Sequence, residues 1–569
     1  MNQRFTRRLK SIYSWLSDKY ALNVFGVVGG TVGYVLALLP SLIPRPGLFM
    51  GILGGICFMI GYGLGLLAQK TYYWLVDKRI PKGYDKKVTK IIGICAVIFI
   101  IGFAIVADNW QDEIRVLVGV EQSPTRGTFL ILGGFILAAT LFLVISRGVS
   151  KLYRIVLAYT KRWQILPKRV AMLTGWVLAT ILVFTIIDGI FIGSLKSVAD
   201  NHFRMVNERT GDRSSRPTSS LRSGSDESLV SWETLGRNGR DFVGSGPTAD
   251  SISEFTGREA KEPIRAYVGA HQAETPRARA DLAVRELERM GAFNRKYLIV
   301  NTTTGSGWVE PAAAAAVEYL HDGDIAQVAL QYSYLPSWMA LLVSREDATD
   351  SGRAIFEAVF EKVQDLPEDK RPKIIASGLS LGSYGSQGAF SSASDFAMRT
   401  DGALYFGTPG FSQPWREFTE NRDKGSTQIK PVYRKGETVR FANNHQDLID
   451  VTKDWIGPRV LYLQYPSDAI VWWTTDLIWN KPDWIDEPRG HDVSERTRWF
   501  PVITFLQVLV DQMFGNHFTG GHGHNYAPDV VYSWAAVTPV DDWSSEKLDD
   551  LQQLMNKRYS SVEPSSSNN

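Results

Sequence analysis

The chain has 569 residues, 44% hydrophobic and 21% charged, with a mean hydropathy of −0.10 and a formal net charge of +3. At about 100–200 residues per domain this allows three or four domains, and it excludes a disordered, collagen-like or disulfide-scaffold protein. The small net charge hides two unlike parts. Residues 1–200 hold 23 Lys+Arg against 9 Asp+Glu, a balance of +14, and the 39 basic and 50 acidic residues that follow give −11.

In chain order, five apolar stretches come first: Leu22–Leu39, Leu48–Ala68, Ile91–Ala107, Thr128–Ile145 and Val170–Ile192. About 20 apolar residues cross a hydrocarbon core of ~30 Å, so each stretch is expected to span a bilayer. They are apolar all round, unlike the amphipathic helices of a soluble core. A basic start (Arg4, Arg7, Arg8, Lys10) precedes the first stretch, which lacks an A-x-A cleavage signal and reads as a retained anchor. Lysines and arginines crowd the second and fourth connections, from Lys70 to Lys90 and from Arg147 to Arg169, while the loops at Arg45 and Asp108–Arg126 carry few. The positive-inside rule then puts the amino terminus in the cytoplasm and, after five crossings, the rest of the chain outside.

Spans one and two carry the small-xxx-small pairs Gly26/Gly30, Gly29/Gly33, Gly51/Gly55 and Gly61/Gly65, which suit close helix packing or a homo-oligomer. Only Asp188 approaches membrane depth as an ionisable group, so a transporter is a poor reading. Cys57 and Cys95 both fall inside spans, and no disulfide is expected outside.

Residues 201–262 turn polar, and the run Arg213–Ser228 reads as a flexible tether or exposed loop. Residues 263–540 alternate short apolar runs with helix-length segments. Strands are expected at Ile264–Val268, Tyr297–Asn301, Ala326–Gln331, Lys373–Ser377, Gly402–Phe406 and Val460–Gln464. Helices are expected at Arg277–Met290, Pro311–His321, Ser351–Asp365 and Ser383–Met398. The alternation predicts an α/β domain with a mostly parallel, doubly wound sheet whose site lies at the carboxyl ends of the strands. Residues 541–569 comprise a helix candidate, Ser544–Lys557, and a polar tail.

Directly after the fourth strand stands Gly378-Leu379-Ser380-Leu381-Gly382, a G-x-S-x-G in the strand–turn–helix setting of a nucleophile elbow. A glycine-rich turn with a capping serine is the plainer reading of the pentapeptide alone. A serine nucleophile needs a base and an orienting acid, in the order Ser, Asp, His. Asp468, at the end of the last strand, is the expected acid, with Asp447, Asp450 and Asp476 as lesser candidates. The base is expected in Gly520-Gly521-His522-Gly523-His524-Asn525-Tyr526, with His524 preferred and His522 the alternative. These two with His517 form a conceivable metal set, but no Cys and no H-E-x-x-H spacing supports one, so neither metal nor cofactor is expected. An oxyanion hole is expected from the amide of Leu381 with Thr304 and Gly305, in the polar loop after the second strand. The 55 residues between Asp468 and His524 hold Trp472, Trp473, Trp479, Trp484 and Trp499 and a helix candidate, Phe500–Phe514. They suit either an aromatic core or a lid that faces the membrane.

The five-span half with Pro40-Ser41-Leu42-Ile43-Pro44-Arg45, the elbow Gly378–Gly382 and the loop Gly521–Tyr526 together resemble a family of actinobacterial membrane proteins. In that family a multi-pass amino-terminal region is joined to an α/β-hydrolase domain. The resemblance implies Ser380 as nucleophile, Asp468 as acid and His522 or His524 as base, and it names no substrate. The expected activity is that of a serine hydrolase or acyltransferase of the cell envelope, acting on a lipid or glycolipid ester. The alternative is a non-catalytic assembly or scaffold protein that keeps the fold. The basic residues read as topology signals, and no nucleic-acid partner is expected.

Overall fold

The computed structural model describes residues 23–78, 86–121, 127–160, 167–185, 202–209, 214–450, 455–518 and 520–559. The basic start, Asp188, Arg213 and the tail Ser560–Asn569 lie outside them. Each apolar stretch carries a helix: α1 Val24–Ala37, α2 Gly47–Leu75, α3 Lys86–Leu117, α4 Thr128–Thr160 and α5 Lys168–Thr185. Among the described residues, α2, α3 and α4 are long and apolar enough to cross a membrane, and α1 and α5 are shorter apolar helices. The expected five spans are thus three by length. Part of the fifth stretch, 186–192, falls outside the described residues.

The glycine stripes pack helices of this one chain. A Cβ on Gly29 would lie 2.4 Å from the Gly61 carbonyl oxygen, one on Gly33 2.3 Å from that of Cys57, and one on Gly51 2.1 Å from that of Ile131. Backbones of α1, α2 and α4 therefore meet where any side chain would hold them apart.

The second half is built on a seven-stranded, all-parallel sheet in the order β1-β3-β2-β4-β5-β7-β6. Its strands are β1 Ile264–Val268, β2 Tyr297–Thr302, β3 Ile325–Leu330, β4 Lys373–Leu379, β5 Gly402–Phe406, β6 Val439–Ala442 and β7 Arg459–Leu463. The central strands are buried along almost their whole length, because helices cover both faces of the sheet. Six of the strands match apolar runs. The seventh, β6, is a four-residue edge strand whose apolar run is too short to register as a pattern. The helix expected over Ser383–Met398 is two, Leu381–Gln387 and Ala393–Arg399, the second capped by the Ser392 side chain. The helix Ser545–Tyr559 buries Leu551 and Met555 in the core, so the carboxyl-terminal segment belongs to this domain up to that point.

The segment read as a flexible tether or exposed loop is held against the domain, with residues 222–225 buried and its ends partly exposed. Residues 214–262 carry the helices α6 Gly236–Gly244 and α7 Ala249–Thr256, and Val230, Leu235 and Phe242 join the main apolar cluster. Two buried arginines hold it. Arg222 donates to the carbonyls of Val243, Gly246 and Pro247 and pairs with Glu262. Arg265 on β1 donates to the Phe242 carbonyl and grips Glu318 with two hydrogen bonds of 2.8 and 2.7 Å. The serines, which made the run look like a linker, supply hydroxyl hydrogen bonds there. Ser223 donates to Glu286 and receives the Tyr267 amide, and Ser228 donates to Glu286.

The insert between β7 and the histidine loop carries α8, Ile503–Asp511, shorter than the expected Phe500–Phe514. This helix rests on the membrane half. Ile503, with Phe500, Leu506 and Val510, packs on Ala37, Leu53 and Cys57. The Gln507 amide donates to the carbonyls of Leu36, Ala37 and Leu39, closing the open end of α1. Asp511 receives the Ser41 hydroxyl at 2.5 Å and the Leu42 amide at 3.2 Å, and faces Arg45 at 3.4 Å. Both charges are fully buried. Burial pushes the Asp511 carboxyl up and the Arg45 guanidinium down, and their mutual attraction opposes both shifts. Removing one partner of such a pair costs about 3–5 kcal/mol, because the other is left as an uncompensated buried charge. Arg45→Met is therefore expected to lower the melting temperature in detergent sharply, and Arg45→Met/Asp511→Asn to regain more than half of that loss. A double variant as unstable as the two singles combined would show the groups to be energetically independent.

Candidate active site

The elbow is a steric construction. Ser380 joins β4 to the helix Leu381–Gln387 with φ +55° and ψ −126°, in the sparsely populated region for a residue with a Cβ. Its amide donates to the Phe406 carbonyl at the end of β5, and its own carbonyl receives the Tyr384 amide. The flanking glycines are required by proximity. A Cβ on Gly378 would lie 2.5 Å from the Gly382 carbonyl, and one on Gly382 would lie 2.2 Å from the Thr302 oxygen. The strand, the turn and the end of β2 are therefore pressed together around the serine.

Asp468 follows β7 and caps the short helix Ala469–Trp472, its Oδ1 receiving the Ile470 amide at 2.8 Å. Its Oδ2 meets His524 Nδ1 at 2.7 Å and receives the Tyr526 hydroxyl at 2.6 Å. A carboxylate only accepts, so Nδ1 carries the proton of that bond and Nε2 is left as the basic nitrogen. Nε2 is buried without a hydrogen-bond partner among the described residues. The Tyr526 phenol is pushed well above its ordinary value by burial and by the Asp468 charge, which keeps it a donor. Its ring stacks on Tyr465, whose amide donates to the Tyr526 oxygen.

The histidine loop turns through Gly520, Gly521 and Gly523, all at positive φ, and the His524 amide is tied to the Gly515 carbonyl at 2.8 Å. Of the two candidate imidazoles, His524 is the one that meets Asp468. His522 turns to Asp492 instead, with Nδ1 3.0 Å from Oδ2. The side chain of His517 lies outside the described residues, as does that of Asp450. Asp447 pairs with Lys430 and receives the Asn443 amide, and Asp476 is an exposed partner of Arg416. Neither makes a contact with a histidine among those described.

The loop after β2 departs from the expected arrangement. The Thr304 amide donates to the Trp308 carbonyl at 3.0 Å and the Gly305 amide to the Ser337 hydroxyl at 3.3 Å. Thr303, the first residue of that loop, has its carbonyl group 3.0 Å from where a Gly382 Cβ would stand, farther than the Thr302 oxygen. Trp472, Trp473 and Trp484 of the insert are core residues, and Trp479 is exposed.

Sequence reasoning also missed Gly407. It directly follows β5, the strand between β4 and β7, whose last carbonyl, that of Phe406, receives the Ser380 amide. A Cβ on Gly407 would stand 2.5 Å from His524 Cε1 and 2.8 Å from Asp468 Oδ2, at φ +53°. The signal available was a glycine immediately after an apolar strand run, with no side chain to announce its role. Gly407→Ala is expected to part Asp468 from His524 and to lower labelling of Ser380 by a fluorophosphonate at least about tenfold. Gly425→Ala, at φ +92° in open space, carries the backbone strain alone and is expected to label normally.

The alpha/beta-hydrolase family model matches residues 264–551, and the model of that family's N-terminus matches residues 38–247. The second match runs on through the polar segment 201–247. No curated protein and no solved structure matches the chain.

Proposed function

We propose, for a chain that belongs to the alpha/beta-hydrolase family and carries that family's N-terminal region, that it is a membrane-anchored serine hydrolase or acyltransferase acting on a lipid or glycolipid ester. The observation that carries this reading is the buried Asp468–His524 pair, beside an elbow that holds Ser380 at φ +55°. In the proposed reaction His524 Nε2 takes the Ser380 hydroxyl proton as Oγ attacks the ester carbonyl. Asp468 and Tyr526 hold the imidazole in the tautomer that permits this and stabilise the imidazolium that forms. The developing oxyanion is received by the Leu381 amide at the helix start and by a second donor from the loop after β2. Imidazolium then protonates the departing alcohol, leaving Ser380 acylated. Water or a sugar hydroxyl, deprotonated by His524, releases the acyl group by the reverse sequence.

A lipid substrate is favoured by what surrounds the histidine loop. The chain at the end of α3 (Gly119) lies against the His522 ring, and Leu42, Ile43 and Val118 of the membrane half belong to the main apolar cluster of the catalytic domain. The site is thereby next to the ends of the apolar helices, which supports a substrate whose ester lies between an acyl chain and a headgroup. We place the catalytic domain outside the cytoplasm, on the expected odd number of crossings and the two basic loops.

Fluorophosphonate labelling of membranes tests the chemistry. Ser380→Ala is expected to abolish labelling and Asp468→Asn to slow it about 10²–10⁴-fold, and undiminished labelling of Ser380→Ala would remove Ser380 as nucleophile. A carboxyl-terminal phosphatase fusion is expected to be active, and an inactive one, with a cytoplasmic reporter active at the same position, would overturn the orientation.

A further inference from the structure

The contact that draws His522 away from Asp468 forms a second constellation, with no residue in common with Ser380, Asp468 and His524. His491, Asp492 and His522 each bring one ligand atom to within 4.8 Å of the others, the one such His/Cys/Asp/Glu group among the described residues. Asp492 is fully buried. Its Oδ2 receives the Ser467 hydroxyl at 2.5 Å and faces His522 Nδ1 at 3.0 Å, while its Oδ1 is buried with no partner among the described residues. A buried carboxylate oxygen without a donor is costly unless something cationic meets it. The two imidazoles differ in freedom: His491 is exposed, and His522 is largely covered beside Gly119.

We propose that His491, Asp492 and His522 bind a divalent metal ion of the zinc class. Two imidazoles and one carboxylate with an open fourth position are the ligand set of many zinc sites. Tetrahedral ligands at about 2.0–2.2 Å stand roughly 3.3–3.5 Å from one another, so the present spread closes by a rotation of the exposed His491 side chain. The His522–Asp492 hydrogen bond then gives way to two metal bonds, with His522 losing its Nδ1 proton to solvent or to the other ring nitrogen.

The position of the site suggests what the ion does. Ser467 precedes Asp468 and Gly523 precedes His524, and the Ser467 hydroxyl receives the Gly523 amide at 2.8 Å while donating to Asp492. A metal held by Asp492 and His522 therefore clamps the acid-bearing and histidine-bearing loops to each other. The ion touches no reacting atom; the three ligands are positioning residues for the site above.

Zinc itself is the probe. Full-length protein in detergent, exposed to micromolar zinc and desalted, is expected to retain one zinc per chain by elemental analysis. His491→Ala and His522→Ala are each expected to reduce this at least tenfold, and chelation should lower the melting temperature of the native chain only. Retention below a tenth of an ion per chain, or equal retention in the His491→Ala/His522→Ala double variant, would overturn the site. Chelation is further expected to slow fluorophosphonate labelling about tenfold in the native chain and to leave the rate of His491→Ala unchanged. Zinc binding with an unaltered labelling rate would overturn the positioning role alone. Metal content and melting temperature are read without any catalysis, so failure of the hydrolase reading is distinguishable from failure of this one.

Discussion

The buried contact of Arg45 with Asp511 is the constraint on which the relation between the two halves depends. A basic helical bundle and an acidic α/β domain have no general reason to sit in one orientation, since long-range attraction between them is screened within about 10 Å. A guanidinium and a carboxylate, both taken out of water, are different. Each is costly alone, so the only arrangement that tolerates either is the one that brings them together. Ser41, Leu42 and Gln507 complete the contact with hydrogen bonds across the same junction. Because Asp511 ends α8, in the insert between Asp468 and His524, the junction also fixes where the chain starts on its return to the site.

From that anchor the chain has few ways back. Gly515 receives the His524 amide, three left-handed glycines turn the loop, and Asp468 and Ser467 meet it from the end of β7. The sheet order makes this meeting possible. β5 separates β4 from β7, and the glycine that follows it, Gly407, leaves room for the His524 ring beside Asp468. Strand order, a missing Cβ and a docked insert thus act on one position.

Much of the architecture was legible because its determinants are local. Six of seven strands are runs of buried apolar residues, and the elbow is readable because two glycines must flank a serine in so tight a turn. The edge strand β6 was not, since four residues carry too little pattern. The polar segment 214–262 misled for a definite reason. Serines and arginines are the composition of linkers, but here Arg222 and Ser223 are buried as hydrogen-bond partners of carbonyls and carboxylates. Composition records that such groups are polar and says nothing of whether the fold supplies them with partners. The glycine stripes posed the converse problem: small residues at helical spacing allow close approach, and only the packed bundle shows that the approaching backbones are those of the same chain.

Period, run length and spacing act over a few residues, and they carried the α/β class, the elbow at Ser380, the apolar helices and the opposed charges of the two halves. The loop Gly520–Tyr526 was likewise recognisable as a glycine-rich loop bearing two histidines. Which imidazole meets Asp468 depends on contacts 56 residues apart, and the turn of His522 toward Asp492 spans 30. Two histidines in the pattern His-Gly-His are chemically equivalent along the chain. They become different only when the fold offers one a carboxylate at the end of β7 and the other a carboxylate in the insert.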